Sequence, residues 1–533
     1  MGQVTERFAA ELARVRPGLS TAYAAALPGA RSAVLGRLWR GLLYEPVPGM
    51  ERPGSPVPGV ERPGSPVPAA PAGEVVLRTS GGRLLRGRAR TPYDLAGEPA
   101  LWLDGRRYDD PAALLEALLA ALDLPGTDRP EEDLDNSVAS LALSRAGAAT
   151  RPARPAATPE DHEQDVIDGH PYHPCCRNRP GVSVAEQLAY MPEHRPVVAL
   201  DLLAVPAAGC LVSGPWPDAL RDGDRLLLPV HPWQAEHVLA GLGLRPYATG
   251  AIRARPLMSV RTLAPLDGGP HLKTALSIRL TSDVRDISPG SIRDCVTLSR
   301  LLTDLSARLG GRPRVARYLA GAAAPVKGEV SADVSVMLRE PAAALAPNAT
   351  VLPVAAITRE TAGDDPAGWL AAFARLAFAD VLGLLALGAA LEAHGQNLLL
   401  VLDGRNRPAR LVYRDLADIR LSPARLARHG IEVPPLSARL LSDDPDVLRA
   451  KAFGSLVGTT FGSLISLFGK GDRAAESRLW AVVSAAAREV SRDLPDRDAL
   501  FAPTIPAKAH LVALLAGAGD SWTRLPNPLA PGI

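Results

Sequence analysis

Residues 369–415 read WLAAFARLAFADVLGLLALGAALEAHGQNLLLVLDGRNRPARLVYRD. The first part is an Ala/Leu run with few charges, which predicts one long helix reaching His394-Gly395. LLLVLD, a turn GRNRP and ARLVYRD follow, which predict strand, hairpin and strand. Five polar groups converge on this apolar stretch: Glu392, His394, Gln396, Asn397 and Asp415. Carboxylate, amide and carboxylate are hard oxygen ligands suited to magnesium. Glu392, Asn397 and Asp415 are therefore candidates to hold magnesium beside nucleotide phosphates. The plainer reading is a capped helix end followed by a satisfied hairpin.

Upstream, SVRTL at 259–263 and HLKTALSIRLTSDVR at 271–285 alternate as strands would. Ser259 and Arg261 then share one face. Lys273, Ala275, Ser277, Arg279 and Thr281 share another at even spacing, and Thr262 and Arg285 flank the two runs. Cations neutralise phosphate oxygens and hydroxyls orient them, so two such strands make a phosphate cradle without a glycine loop. The plainer reading is an exposed cationic face, to which Arg279 is assigned. Lysine is scarce in this chain: Lys273, Lys327, Lys451, Lys470 and Lys508 are all there are.

Further upstream lies Gly169-His170-Pro171-Tyr172-His173-Pro174, with Arg177 and Arg179 close behind. Prolines fix the backbone around both rings, and the arginines suit an anionic, multi-carboxylate ligand. A structural turn is the alternative. Zinc held by His170, His173 and Cys176 lacks a standard ligand spacing. LLLPVHPWQ places His231, Trp233 and Gln234 at a strand end, where a scaffold role is favoured.

The remaining chain divides by composition. Residues 1–45 predict two amphipathic helices. Residues 46–68 are a tandem PVPGxERPGS repeat, read as a loop insertion or linker that supplies no ladder bonds. Residues 74–108 predict short strands, and PAALLEALLAAL a helix. Residues 124–160 are polar and proline-rich around a helix near DNSVASLALSRA, with a boundary near 145–160. The middle mixes strands (VVALDLLAV, RLLLPV) with the helix SIRDCVTLSRLLTDLSARL.

At 533 residues the chain is too long for one small core. A net charge of +2 gives no basic surplus for nucleic acid. Four cysteines without a C-x-x-C pair make neither a disulfide scaffold nor a structural zinc site. The N-terminus lacks the apolar run of a signal peptide. AFGSLVGTTFGSLISLFG at 452–469 is borderline for a membrane span. Gly454, Gly458 and Gly462, four apart, point instead to a closely packed buried helix in a cytoplasmic protein. No phosphate-binding glycine loop and no G-x-S-x-G elbow occurs.

From about residue 160 onward the chain resembles the siderophore synthetases that work independently of nonribosomal peptide synthetases, the aerobactin-synthetase (IucA/IucC-like) family. The resemblance rests on EQDVIDGHPYHPCCRNRPG at 163–181, AYMPEH at 189–194, LPVHPWQ at 228–234, SVRTL, HLKTALSIRLTSDVR, EAHGQN at 392–397 and YRD at 413–415. Lys508 in PTIPAKAHL and Asn527-Pro528-Leu529 also fit. The resemblance implies an AMP-forming ligase that adenylates citrate or a related carboxylate with ATP and magnesium, then condenses it with an amine or hydroxyl. It places Ser259, Arg261, Thr262, Lys273, His394, Asn397 and Asp415 at ATP, and His170, Thr281, Arg285, His394 and Gln396 at the carboxylate. Glu392 and Asp415 fall where the metal is held. Lys273, Arg285, His394 and His170 are the implied catalytic set. Arg177 departs from the family, which commonly has Lys there.

The implied fold is α+β and hand-like: a thumb at 1–150, fingers at 151–345, and a palm at 346–533 with a kinase-like or ferric-reductase-like part. The family is usually dimeric, which implies a homodimer. Two other readings compete. A kinase-like small-molecule phosphotransferase would share His394-Gly395, Asn397 and Asp415, yet Gln396 stands where its catalytic Asp would be and cannot accept a proton. A non-catalytic siderophore-binding or ferric-reductase-like protein would need C-terminal cysteines for a cluster, and the last cysteine is Cys295.

Overall fold

The computed structural model describes residues 2–53, 71–122, 129–152, 156–281, 283–517 and 519–531. The expected N-terminal helices are Gln3–Val15 and Ser20–Tyr44. Val4, Phe8 and Leu12, four apart, form the buried stripe of the first. Both pack on Pro130–Thr150, which is buried continuously from Asp133 to Ser144. The sequence expects a short interrupting helix here; the structure makes it a central one. Its polar groups are matched one by one: Asp135 accepts from Val4 N at 2.8 Å, and Asn136 Oδ1 from Arg179 N at 2.7 Å. Just past the second helix, Glu45 is fully buried. It accepts from Leu511 N at 2.6 Å and Val512 N at 3.2 Å, 466 and 467 residues further on, with Arg40 Nη1 at 3.4 Å.

Strands Met50–Glu51, Glu74–Thr79, Leu84–Arg88, Leu101–Leu103 and Arg106–Tyr108 form an antiparallel sheet in sequence order. This corrects one reading of the Pro/Gly repeat. Its first copy does supply a strand, with Met50 opposite Thr79 and Val47 and Met50 buried. Proline tolerates this because the strand lies at the sheet edge. Residues 54–68 of the repeat lie outside the described residues.

Among the described residues the middle of the chain builds a nine-stranded antiparallel sheet. Its central strands run Tyr318–Val326, Glu329–Arg339, His271–Thr274, Thr262–Pro265, Ala248–Pro256 and Val198–Pro206. Helix Pro289–Arg308 packs against it. Two predicted strands are corrected here. Residues 259–261 form a turn rather than a strand, with Val260 at φ 66°. Residues 271–285 are not one strand: the chain leaves the large sheet after Thr274, and Leu276–Leu280 pairs with Asp283–Arg285 in a separate ribbon. The even-spaced face from Lys273 to Thr281 therefore does not exist.

The C-terminal part carries a four-stranded sheet containing Leu398–Leu402 and Pro408–Tyr413, the expected hairpin, against helix Pro366–Leu387. That helix stops earlier than His394-Gly395. Gly388 caps it at φ 115°, and a Cβ there would meet Leu426 Cγ at 3.0 Å. The chain then pairs briefly at Ala389–Ala390 and reaches His394 without helix. Helix Pro366–Leu387 and the helical run Pro445–Gly469 are long and apolar enough to cross a membrane, but 61% and 83% of their apolar windows are buried inside the fold. The close packing read from the glycines is present. A Cβ on Gly454 would lie 3.1 Å from Pro506 O, and one on Gly462 2.6 Å from Tyr172 Oη.

Candidate active site

Strand register brings the first group together. Thr262 lies opposite Lys273, His271 opposite Arg339, and Arg339 opposite Tyr318, all on one face of the large sheet. Lys273 is 2% exposed. Its Nζ donates to Asp415 and to Tyr318 Oη at 3.1 Å, and Tyr318 Oη donates to Asp415 Oδ1 at 2.9 Å. Asp415 arrives from the other half of the chain, just after the hairpin, at φ 66°. Arg261 donates from Nη1 to the carbonyls of Arg285, at 2.8 Å, and Asp286. Burial lowers the Lys273 ammonium to about 8, with Asp415 opposing and Arg261 and Arg339 adding. Burial alone would raise the Asp415 carboxyl, but Lys273, Arg339 and Arg261 hold it far below the ordinary range.

This group has cations in excess and donors without partners. Among the described residues, Ser259 Oγ, Thr262 Oγ1 and Arg339 Nε are buried and make no hydrogen bond. Buried polar atoms are seldom left so. A polyanion reaching the three cations would supply the missing acceptors.

The second group gathers on the loop 391–397, the 169–177 loop and the C-terminal hairpin Thr504–Lys508/Trp522–Pro526. His170 and His173 each turn Nδ1 to accept backbone N–H, His170 from Tyr172 at 3.2 Å and His173 from Cys175 at 2.9 Å. His510 packs against both, with ring centroids 4.7 and 4.8 Å away. Burial, then neighbouring cations and rings, pushes all three well down, so they are neutral. His394 accepts from Gln396 N at Nδ1, 3.2 Å, and burial lowers it too. At His170 and His394, a neutral ring accepting at Nδ1 carries its proton on Nε2. Glu392 is buried between Lys508, 2.9 Å, and Lys451, 3.4 Å; both lysines also reach Asp520. Burial would lower Lys508, but Glu392 and Asp520 outweigh it and raise it.

The sequence-derived set is thus split between two adjoining groups. Ser259, Arg261, Thr262, Lys273 and Asp415 fall in the first; His170, Glu392, His394 and Gln396 in the second. Asn397 is buried and spends Nδ2 on Glu392 O at 3.3 Å. Thr281 sits in a turn at φ 64°, its N donating to Asn178 O at 3.1 Å, and Arg285 Nη2 donates to Leu280 O at 2.9 Å. Arg279 pairs with the buried Asp133 at 2.6 Å, so it is half-buried rather than part of an exposed cationic face. Arg177 spends its fork on the carbonyls of Val166 and Ile167 with Glu193 beside it, which a lysine could not copy. His231 is buried and caps Trp233 N, the scaffold role expected. Among the described residues no three His, Cys, Asp or Glu side chains are spaced to hold a metal, so the His170/His173/Cys176 zinc reading finds no support. Tyr318, Arg339, Lys451, His510 and Asp520 were not picked out from sequence. Lys451 belongs to the scarce lysines, which is the one signal that pointed to it.

Comparison with known families fits this geometry. The IucA / IucC family matches residues 159–359, and a ferric iron reductase FhuF-like transporter family matches residues 367–520. Residues 159–359 are thus similar to the IucA / IucC family. Staphyloferrin A synthase of Staphylococcus aureus (strain NCTC 8325 / PS 47) is 24% identical over 406 residues, covering 66% of this chain and 68% of that protein. The petrobactin biosynthesis protein AsbB from Bacillus anthracis str. Sterne superposes with a TM-score of 0.77 at 19% identity, over 96% of this chain and 98% of that one. ATP-bound aerobactin synthetase IucA from a hypervirulent pathotype of Klebsiella pneumoniae gives 0.74 at 19%, over 94% and 99%. The mixed α+β fold is thus shared. The stretch matching the reductase family holds no cysteine and so offers none of the thiolates an iron–sulfur cluster takes.

Proposed function

We propose that the protein is an ATP-dependent, AMP-forming ligase of siderophore biosynthesis. It adenylates citrate or a related dicarboxylate and condenses the product with an amine or hydroxyl. One observation carries this reading: a buried cation cluster with unpaired hydroxyls, Lys273, Arg261, Arg339, Ser259 and Thr262, adjoins a cluster of neutral histidines and lysine. The first suits a triphosphate and the second a polycarboxylate.

A carboxylate resists attack because its carbon is electron-rich and oxide leaves poorly. Here a carboxylate oxygen attacks the α-phosphorus of ATP and the bond to the β-phosphate oxygen breaks. Lys273 and Arg261 screen the two anions as they meet and stabilise the departing pyrophosphate. His170 and His394 donate from Nε2 to the carboxylate, with Thr281, Arg285 and Gln396 lining its approach. The amine or hydroxyl then attacks the acyl carbon, AMP leaves, and the nucleophile's proton passes to solvent or a neutral imidazole. Asp415, with Glu392 and Asn397 nearby in sequence, would hold magnesium, which supplies further charge neutralisation at the phosphates. Asp415 fits this role as an ionised carboxylate beside the cations; Glu392 is engaged by two lysines and would have to exchange them. We also read the chain as a cytoplasmic homodimer with thumb, fingers and palm at 1–150, 151–345 and 346–533.

The test is product analysis with Mg-ATP and a panel of carboxylates, trapping acyl adenylates with hydroxylamine. AMP, pyrophosphate and a hydroxamate are expected only with a suitable carboxylate. ADP as the main product would overturn the reading in favour of phosphoryl transfer.

A further inference from the structure

The Pro159–Gln164 helix is six residues long, yet four of its side chains reach the site's frame. Glu160 lies 3.6 Å from His271 Nε2, on the strand of Lys273. Asp161 lies 3.6 Å from Arg255 Nη1. Gln164 Nε2 donates to Pro256 O at 3.1 Å, just before the turn that carries Ser259. Glu163, 3% exposed, does most. Its Oε1 accepts from Arg414 Nη1 at 2.5 Å, and its Oε2 from Arg414 Nη2 at 3.0 Å and Met258 N at 3.0 Å.

Both ends of this clamp matter. Arg414 directly precedes Asp415, and its Nε donates to Gln396 O at 3.0 Å. Met258 lies in the turn 257–260, where Val260 holds a left-handed conformation that β-branched residues rarely adopt. Such a turn persists only when its surroundings over-determine it. Glu163 thus ties the Ser259 turn to the Asp415 loop, which lie in opposite halves of the chain. A planar guanidinium bound through both nitrogens fixes direction as well as distance. Burial would raise the Glu163 carboxyl; Arg414 outweighs it and keeps it ionised.

We propose that Glu163 is a positioning residue for the nucleotide site, presetting Ser259, Arg261 and Asp415 to receive the triphosphate. This rests on the reading of that site as the ATP site. The experiment is calorimetric titration of ATP with magnesium, and separately citrate, into the full chain and its variants. Absence of ATP binding by the unaltered protein overturns the nucleotide reading and this inference together. Given binding, Glu163→Gln is expected to weaken ATP on the order of ten- to hundredfold while citrate changes by less than about twofold, since small misplacements at a site are costly. Glu163→Asp, which keeps the charge, is expected to recover part of the loss. Glu163→Gln combined with Ser259→Ala is expected to lose less than the product of the single losses, whereas the combination with Arg279→Ala multiplies. ATP affinity unchanged in folded Glu163→Gln and Gln164→Ala overturns the inference alone. So does a simple product with Ser259→Ala, which marks Glu163 as structural only. If Glu163→Gln does not fold, Glu163→Asp and Gln164→Ala carry the same comparison.

Discussion

Two lysines, Lys273 and Lys508, each meet a carboxylate, and their environments drive them in opposite directions. Lys273 sits deep in the sheet with Asp415 before it and Arg261 and Arg339 around it; burial wins and its ammonium falls to about 8. Lys508 lies half-buried on the C-terminal hairpin between Glu392 and Asp520; the two carboxylates win and its ammonium is raised. A cation short of negative charge gains from an arriving phosphate, whereas a cation already matched gains little. On the proposed reading, the first region attracts the nucleotide and the second holds the residues proposed to meet the carboxylate.

The sharpest way to break this contrast is at Lys273. Lys273→Ala is expected to cost about 2.7–4 kcal/mol in the transition state, roughly a hundred- to thousandfold in rate. Asp415→Asn keeps the shape and is expected to slow turnover and raise the magnesium requirement. Pyrophosphate release against magnesium concentration reads both, with Arg375→Ala, at the exposed ion pair to Glu489, as the near-neutral control. Near-parental rates in the first two would move the nucleotide site elsewhere.

A further carboxylate sharpens the comparison because no lysine faces it. Asp380 is buried in the apolar helix Pro366–Leu387, and its Oδ2 has no hydrogen-bond partner among the described residues. Burial raises it to about 6, with only Arg312 opposing. An acid whose folded value exceeds its unfolded one costs stability as pH rises between the two, here from about 4 to about 6, and the deficit persists above. Asp380→Asn is expected to be more stable than the parent by up to about 3 kcal/mol at pH 7, with the advantage fading toward pH 4. Denaturant titrations at several pH values check this, and a pH-independent difference would refute the account.

The smallest expected effect is at Lys508. Lys508→Met leaves Glu392 paired with Lys451, so we expect the KM for the carboxylate to rise roughly tenfold while that for ATP stays within about twofold. Equal changes in both would show that the two regions act as one.

Most helices and the hairpin were legible because their apolar periodicity is strong. The errors share a cause: backbone dihedrals that residue type does not announce. Val260 and Thr281 adopt positive φ although neither is a residue from which a left-handed turn is expected, so SVRTL and HLKTALSIRLTSDVR read as unbroken strands. Gly388 stood in plain view as a helix stop, but the Ala-rich residues after it masked the signal. At the candidate site, the sequence points to the polar residues that lie within motifs. It does not point to Tyr318 and Arg339, since a strand residue reveals its neighbours only through register. Lysine scarcity was informative: Lys273, Lys451 and Lys508 meet carboxylates at the site, while Lys327 and Lys470 occupy turns.

The bond from Glu45 to Leu511 also has a consequence for how the chain is made. Translation delivers Glu45 466 residues before the amide that satisfies it. At about 5–20 residues per second, the carboxylate waits roughly 25–90 s on the ribosome. Through that interval the N-terminal helices can offer it Arg40, at 3.4 Å, but not the two backbone amides that complete its pairing. Their final docking is thereby tied to the emergence of the same C-terminal segment that brings Lys508 to Glu392.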